Sequence, residues 1–522
     1  MQRTLPGLWF CGLFGLLAVP AESQTFITAL PTPVAGGDTA PGDDDRPGSS
    51  MTLQQLQQSP QKIRREQEPA TILVQPAAEP TPALKLRLYP ARWNLKPGSA
   101  LLHYSRAQML FSQLPEEKRN RWQSPEWTEG SGNGPSPTAD ELKATVDSLR
   151  YVFEELHALA QSEDFSWDHR LRDVRGPSVY MYLLPDVQQS RALARMLLLK
   201  IRHQLLQKDF EGVVSSISDG IRLAEFVGQG ETLIQKLVGI AIASMMRDSI
   251  QQAITTTGCP NLYWALATIP QPLIDVSDSV LWELNNVANV LPVLTDAESE
   301  TWTEAEAAGK WSSTLDDLGV LSGNGVIGDS DVRIILAVAS VTLADQARQR
   351  LHAAGFTEQK LATMPALQIV LVDAARELRR VGDDLGKAHL LPPTLARPLF
   401  EREDQKFQKW VTKNRPSSIA SVIGGLLYPA VTQASEAETR LVMTYHRLMT
   451  LEALRMHAAA NGGQLPASLD QLDPVPALPD PYSGQPFGYQ VQSSDEHTTV
   501  TLTAAGPRAF KPQQLLRATF SK

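Results

Sequence analysis

Apolar residues recur at helical spacing between residues 186 and 254, the most periodic stretch of the chain. In its middle part the pattern i, i+3, i+4, i+7 marks one buried helix face: Phe210, Val213, Val214, Ile217, Ile221 and Ala224. Polar residues, among them Asp219, Arg222 and Glu225, occupy the opposite positions and indicate a solvent-facing side. Together with flanking patterns over residues 186–207 and 231–254, this predicts three consecutive helices.

The third of these helices is apolar on nearly every side over residues 237–246. A helix of this kind is surrounded either by protein or by lipid. Its apolar run is about half of the ~20 residues that a bilayer requires. The pattern therefore predicts a helix buried in protein.

Helical periodicity covers much of the remaining chain, and strand-like alternation is confined to short segments. Further helices are predicted over residues 100–114, from a capping box at Thr138–Glu141 onward, over residues 331–354 and from Pro365. Strands are predicted over residues 84–89, 487–492 and 498–503. The expected fold is mostly α, with stacked, repeat-like helical hairpins and a small C-terminal α+β unit; a plain helical bundle is the alternative.

Four regions follow from these patterns and from local composition. Residues 1–23 combine Arg3, an apolar core over 5–19 and small residues after it, which predicts a secretory signal peptide. An uncleaved membrane anchor is the alternative. Residues 24–83 are rich in Pro, Gly, Ser and Asp and predict a disordered tether. A helical domain is expected over 84–434 and an α+β unit over 435–522.

Composition and charge restrict the classes of partner. The 522 residues are 42% hydrophobic and carry a net charge of −9, which is typical of a globular protein and argues against nucleic-acid binding. Signal cleavage would leave Cys259 as the one cysteine and no transmembrane helix, so no internal disulfide is expected. Cys259 is predicted to be an inert thiol.

Each motif with possible chemistry has a plainer interpretation. The G-x-G-x-x-G pattern at residues 323–328 lacks the preceding strand of a dinucleotide site and predicts a loop. His446 and His457 share a helix face but lie ~16 Å apart along it, which excludes joint metal ligation. Solvated charge is expected for the acidic cluster, and packing for the paired tyrosines: Glu401, Glu403 and Asp404, and Tyr180 and Tyr182. We nominate no catalytic residue and expect no cofactor or metal.

The first two central helices resemble a tetratricopeptide unit. The resemblance rests on helix positions Ala194 and His203, a turn at residues 208–211 and the segment 221–224. Such repeats of about 34 residues stack into a continuous core. Only one unit is recognisable, and it lacks the signature Trp and Gly of the first helix.

The C-terminal region is similar to the C-terminal part of type II secretion pseudopilins. Residues 461–472 carry a G-x-x-P-x-S-L-x-x-L turn, and residues 478–489 carry a D-P-x-x-G-x-P loop. The resemblance implies a helix, a turn, a loop and a β-ribbon. Charged residues interrupt the helix before the turn, so filament assembly is not implied: Arg440, Arg447, Glu452 and Arg455.

In its layout the whole chain resembles uncharacterised, exported, mostly helical bacterial proteins that end in such a tail. This resemblance implies no activity. We therefore expect an exported helical scaffold without catalytic activity, located in the periplasm or cell envelope and bound to a protein partner. The alternative is a hydrolase of an envelope polymer, with a site assembled from dispersed residues.

Overall fold

A computed structural model describes residues 71–131, 134–169, 171–177, 184–322, 330–391, 393–414, 418–494, 497–506 and 515–521. The predicted signal peptide, the tether up to residue 70, the paired tyrosines Tyr180 and Tyr182 and the 323–328 motif lie outside these residues. The described residues fall into two compact units.

The secondary structure of the described residues is predominantly helical. In chain order the helices are α1 (Ala100–Ser112), α2 (Glu116–Trp122), α3 (Pro125–Thr128), α4 (Ala139–Ser148), α5 (Arg150–Ala160), α6 (Leu184–Leu206), α7 (Phe210–Gly228), α8 (Leu233–Thr255), α9 (Tyr263–Ala267), α10 (Ser277–Val290), α11 (Val293–Ser299), α12 (Glu304–Ser322), α13 (Ser330–Ala353), α14 (Glu358–Ala362), α15 (Ala366–Gly386), α16 (Pro393–Asn414), α17 (Ile419–Leu427) and α18 (Pro429–Ala460). The strands are β1 (Thr71–Val74), β2 (Lys96–Ser99), β3 (Ser162–Asp164), β4 (Gly488–Ser493), β5 (His497–Thr503) and β6 (Leu515–Ser521).

The three predicted central helices are confirmed as α6, α7 and α8, and side-chain caps set the starts of the last two. The carboxylate of Asp209 accepts a hydrogen bond from the Gly212 amide at 3.0 Å, which fixes the start of α7. Thr232 and Gln235 form a capping box at the start of α8. The almost entirely apolar α8 packs against α6, α7 and α18, so protein surrounds it. Within the described residues, no helix has the length and apolar character needed to span a membrane.

A close backbone approach joins α7 to α8 at Gly239. A Cβ atom at this position would lie 2.7 Å from the carbonyl oxygen of Ala224 and 3.0 Å from the Cα of Gly228. Backbone atoms cannot move aside as a flexible side chain can. The interhelical distance here therefore requires glycine.

Two polar positions of α7, Asp219 and Arg222, are buried, which corrects the expectation that they face solvent, whereas Glu211 and Ser215 are exposed as expected. Asp219 and Arg222 retain only 1% and 3% exposure. The reason is that α7 packs against α6 and α8 and also against α5. Periodicity separates apolar from polar positions, but here neighbouring helices cover both.

A four-stranded sheet belongs to the same unit, with strand order β1-β6-β5-β4. The two predicted C-terminal strands are confirmed as β4 and β5, which pair antiparallel. β6 pairs antiparallel with β5, and β1, whose residues fall inside the predicted tether, pairs in parallel with β6. The strand predicted over residues 84–89 is wrong: these residues form turns and bends, and their alternation reflects the burial of Leu86 and Leu88.

The larger unit comprises the described residues within Lys62–Ser299, Ala375–Phe407 and Leu427–Lys522. Residues from 435 onward belong to it, and the predicted boundary at residue 435 lies inside α18. The predicted fold class, mostly α with a small α+β region at the C-terminus, is confirmed.

The smaller unit comprises the described residues within Glu300–Ala374 and Gln408–Leu426. Gln368 on α15 binds the first residues of this unit. Its side-chain amide accepts a hydrogen bond from the Trp302 backbone and donates one to the Glu300 carbonyl oxygen at 2.7 Å. Arg350 of α13 forms a bidentate ion pair with Asp373, with nitrogen–oxygen distances of 2.6 to 3.1 Å. These polar contacts join α15 to α13 and to the residues at the start of the unit.

Candidate functional site

A cavity of about 410 Å³ opens within the larger unit. Its lining residues are Tyr89, Pro90, Arg92 and Leu95 before β2, Glu163 and Phe165 at β3, and Arg222, Glu225 and Gln229 at the end of α7. β2 and β3 pair in parallel, with Lys96 opposite Ser162, and this brings the first two segments together. The volume falls within the ~300–1,000 Å³ typical of small-ligand sites.

Arg222 forms the floor of the cavity and is held by acceptors on three sides. Its Nε donates to the Ala160 carbonyl oxygen at 3.0 Å and its Nη2 to that of Ser162 at 2.9 Å. Its Nη1 donates to the Tyr89 hydroxyl at 2.8 Å and also to a carboxylate oxygen of Glu225. The centroid of the Phe165 ring lies 3.9 Å from the guanidinium carbon. This arginine is therefore fixed by the fold.

Glu225 and Tyr89 complete the floor. The Tyr89 hydroxyl lies 2.8 and 2.9 Å from the two carboxylate oxygens of Glu225 and donates its one proton to this carboxylate. Burial raises the pKa of Glu225, while the charge of Arg222 opposes that shift. Burial and the neighbouring carboxylate raise the pKa of Tyr89, so its phenol stays protonated and keeps donating. The three side chains form one rigid polar network.

The wall residues differ from the floor residues, because the polar groups of their side chains are not hydrogen bonded to described residues. Arg92, Glu163 and Gln229 are exposed, and their side chains make no hydrogen bond or ion pair with any residue that the structure describes. Trp93 follows Arg92 in a single helical turn, Arg92–Asn94, and is 81% exposed. The cavity thus presents free donors and acceptors above a fixed base.

None of the residues that the sequence offers as candidates for chemistry lines this cavity. Burial raises the pKa of Cys259 to about 12, which leaves almost no thiolate at neutral pH and agrees with an inert thiol. Among the described residues no cluster of His, Cys, Asp and Glu is arranged to hold a metal ion. His446 and His457 each contact a different part of the loop after α18, at Pro479 and Asp473.

The acidic cluster on α16 is only partly solvated, which corrects the expectation for Glu403. This side chain is buried, and its carboxylate pairs with Lys406 at 2.9 Å, Arg402 at 3.3 Å and Lys387 at 3.5 Å. Glu401 is exposed and pairs with Arg397 at 3.4 Å. Arg402 and Lys406 belong to α16 itself, and the contact with Lys387 connects Glu403 to the segment before this helix.

A second polar contact on α7 is the pair His157–Asp219, with 2.9 Å between Nδ1 and Oδ1. The hydrogen bond to Asp219 raises the pKa of His157 above its ordinary value of 6.5. The protonated ring is therefore favoured in the folded state. Its stabilisation is complete below pH 6.5 and is lost as the pH rises through the folded-state pKa.

We expect the free energy of unfolding to fall by at most about 1 kcal/mol between about pH 6 and about pH 9 through this pair, because His157 is half-exposed and screened. Urea unfolding of the wild type and His157→Gln across this range tests the prediction. The variant should lose that part of the pH dependence. Identical profiles for the two proteins would contradict it.

The sequence contains one indication of the cavity. Arg222 and Glu225 stand three positions apart on α7, at positions for which the periodicity predicts a solvent-facing side. Ionisable residues at i and i+3 can pair with each other on a helix. Residues 89–95 and 163–165, by contrast, offer no comparable pattern.

In comparisons with protein-family models, curated proteins and solved structures, nothing matches this chain.

Proposed function

We propose that the chain is an exported helical protein that acts by binding another protein and has no catalytic activity. The observation that carries this proposal is a pair of exposed apolar side chains on one face of α1, Leu102 and Met109. These residues stand seven positions apart, on one side of the helix, and are 52% and 54% exposed. Exposed Ser105 and Arg106 lie between them on the same face, and exposed apolar side chains bordered by polar ones favour protein contact. The export component rests on the sequence of residues 1–23.

The chemistry of the cavity supports binding over catalysis. Arg222 and Glu225 are engaged with each other and with Tyr89. A catalytic acid or base has to reach a substrate proton within hydrogen-bond distance. Groups that are already fixed by internal bonds are better suited to maintaining the shape of a site than to transferring protons.

Affinity capture from cell-envelope extracts tests the proposed protein contact. We expect the wild type to retain a partner that the double variant Leu102→Ser/Met109→Ser loses by about tenfold or more, since each buried apolar side chain contributes about 1.5–3 kcal/mol. Leu390→Ser, at a side chain that is 70% exposed elsewhere, is the matched control and should retain the partner. Equal recovery with both variants would argue against the α1 face.

The cellular location requires a separate measurement. Fractionation should place the full-length protein outside the cytoplasm. Recovery in the cytoplasm alone would remove the basis for the proposal and for its alternative.

A second candidate function is hydrolysis of an envelope polymer. The observation that favours it is that two carboxylates, Glu163 and Glu225, line one cavity. Incubation with purified envelope polysaccharide should then release soluble fragments, and Glu163→Gln or Glu225→Gln should abolish the release. Failure of the wild type to release fragments would exclude this candidate.

A further inference from the structure

The walls of the cavity combine three kinds of free polar group. Arg92 offers donors, Glu163 offers acceptors, and the Gln229 amide offers both. All three line the same space, and none is engaged by another described residue. A ligand that satisfies them must itself carry several donors and acceptors at short separations. Hydroxyl groups meet this requirement, because each can donate and accept.

The charges on the walls indicate a ligand without net charge. Arg92 and Glu163 bring one positive and one negative charge, and the Arg222–Glu225 pair in the floor is balanced in the same way. Neither an anion nor a cation would therefore gain much from the cavity as a whole. A neutral, polyhydroxylated molecule fits this balance.

An exposed indole follows the wall residue Arg92 in the chain and supplies the apolar component. Trp93 is 81% exposed, is not itself a lining residue, and has the guanidinium carbon of Arg87 6.0 Å from its ring centroid. Solvent contact at so large an aromatic surface has a free-energy cost that a ligand could relieve. The C–H face of a sugar ring is a flat apolar surface that can stack on indole while its hydroxyls point to polar groups.

The rigidity of the floor favours recognition. Tyr89, Arg222 and Glu225 already hydrogen bond to one another, so a ligand that enters has little further ordering of these side chains to offset. The wall groups alone need to adjust. This is the arrangement of a preorganised binding site.

We infer that this cavity binds a short, neutral glycan, with Trp93 stacking on a sugar ring and Glu163, Arg92 and Gln229 hydrogen bonding to hydroxyls. The inference goes beyond the proposed protein contact and involves different residues, so either can fail without the other.

Calorimetric titration of the full chain with three neutral tetrasaccharides tests it: chitotetraose, maltotetraose and cellotetraose. At least one should bind saturably with a Kd below about 1 mM. Trp93→Ala and Glu163→Gln should each weaken that binding by about tenfold or more, a loss of about 1.4 kcal/mol. Both side chains are exposed, so the variants should keep the unfolding midpoint of the wild type.

Matched controls are Tyr151→Ala, at an aromatic side chain that is 57% exposed on α5, and the exposed Glu117→Gln on α2. Both controls should bind like the wild type. Binding of trialanine in place of all three glycans, no binding of any glycan, or wild-type affinity in Trp93→Ala and Glu163→Gln would overturn the inference. Shortened oligosaccharide after incubation would support the glycan site and overturn the non-catalytic proposal.

Discussion

Replacing Arg455 by Met is expected to lower the free energy of unfolding by about 3–5 kcal/mol, the typical cost of breaking a buried ion pair from one side. Arg455 and Glu452 lie one turn apart on α18, with 2.7 Å between Nη1 and Oε1. They are 1% and 0% exposed. Removing the arginine leaves a carboxylate buried without its counter-charge.

The pair also connects distant segments of the larger unit. Arg455 donates from Nε to the Gln75 carbonyl oxygen at 2.8 Å and from Nη2 to that of Cys259 at 2.9 Å. Glu452 accepts from the Leu262 amide at 2.6 Å. α18 is thereby joined to the segment after β1 and to the loop before α9. The effect of the substitution should therefore extend beyond one helix.

Chemical denaturation with two comparison variants tests this expectation. Arg380→Met removes an exposed pair with Asp384 on α15 and should cost less than about 1 kcal/mol. The double variant Glu452→Gln/Arg455→Met retains an acceptor for Leu262 and leaves no isolated charge. It should recover at least about 1 kcal/mol relative to Arg455→Met. A loss in Arg455→Met no larger than that in Arg380→Met would contradict the assignment.

Glu438→Gln is expected to stabilise the protein at neutral and alkaline pH. Burial, and then the charge of Asp275, raise the pKa of Glu438 from 4.5 to about 7, against the opposing effects of the Val276 amide and Lys236. The amide of Val276 donates to the carboxylate at 2.8 Å. Gln keeps an acceptor for this bond but carries no charge to desolvate.

The pH dependence follows from the direction of that shift. Between pH 4.5 and about 7 the folded state retains a proton that the unfolded state has lost, so stability falls as the pH rises through this window. Above about pH 7 the free-energy cost of burying the ionised Glu438 carboxylate no longer changes with pH. The shift corresponds to about 3 kcal/mol. Because Lys236 loses a charged neighbour in the variant, we expect a net gain of about 1–3 kcal/mol at pH 8 and little gain near pH 4.5.

Unfolding free energies measured from about pH 4.5 to about pH 8 for wild type, Glu438→Gln and Glu401→Gln test this. The Glu401 side chain is 64% exposed, and its variant should differ from wild type by less than about 0.5 kcal/mol throughout. If Glu438→Gln behaved like Glu401→Gln at pH 8, the buried carboxylate would not have the assigned effect.

Local patterns in the sequence determined the central helices, several of the others and two strands of the C-terminal sheet. The apolar repeat in α7, and the capping box of Thr138 and Glu141 that the structure shows at α4, place these helices without reference to the rest of the chain. The alternation in β4 and β5 does the same for two strands. Interactions between near neighbours in the chain set these features, so a single sequence displays them.

Tertiary contacts alone decided the sheet edge, the burial of α7 and the cavity. β1 pairs with β6 from the other end of the described chain, and no local pattern encodes a partner at that distance. The sequence pattern places Arg222 at a polar position but does not say whether its guanidinium contacts water or Glu225. The packing of α5 against α7 buries this side chain and so determines that it pairs with Glu225. The cavity likewise exists because β2 pairs with β3 and brings together residues that sequence spacing leaves unrelated.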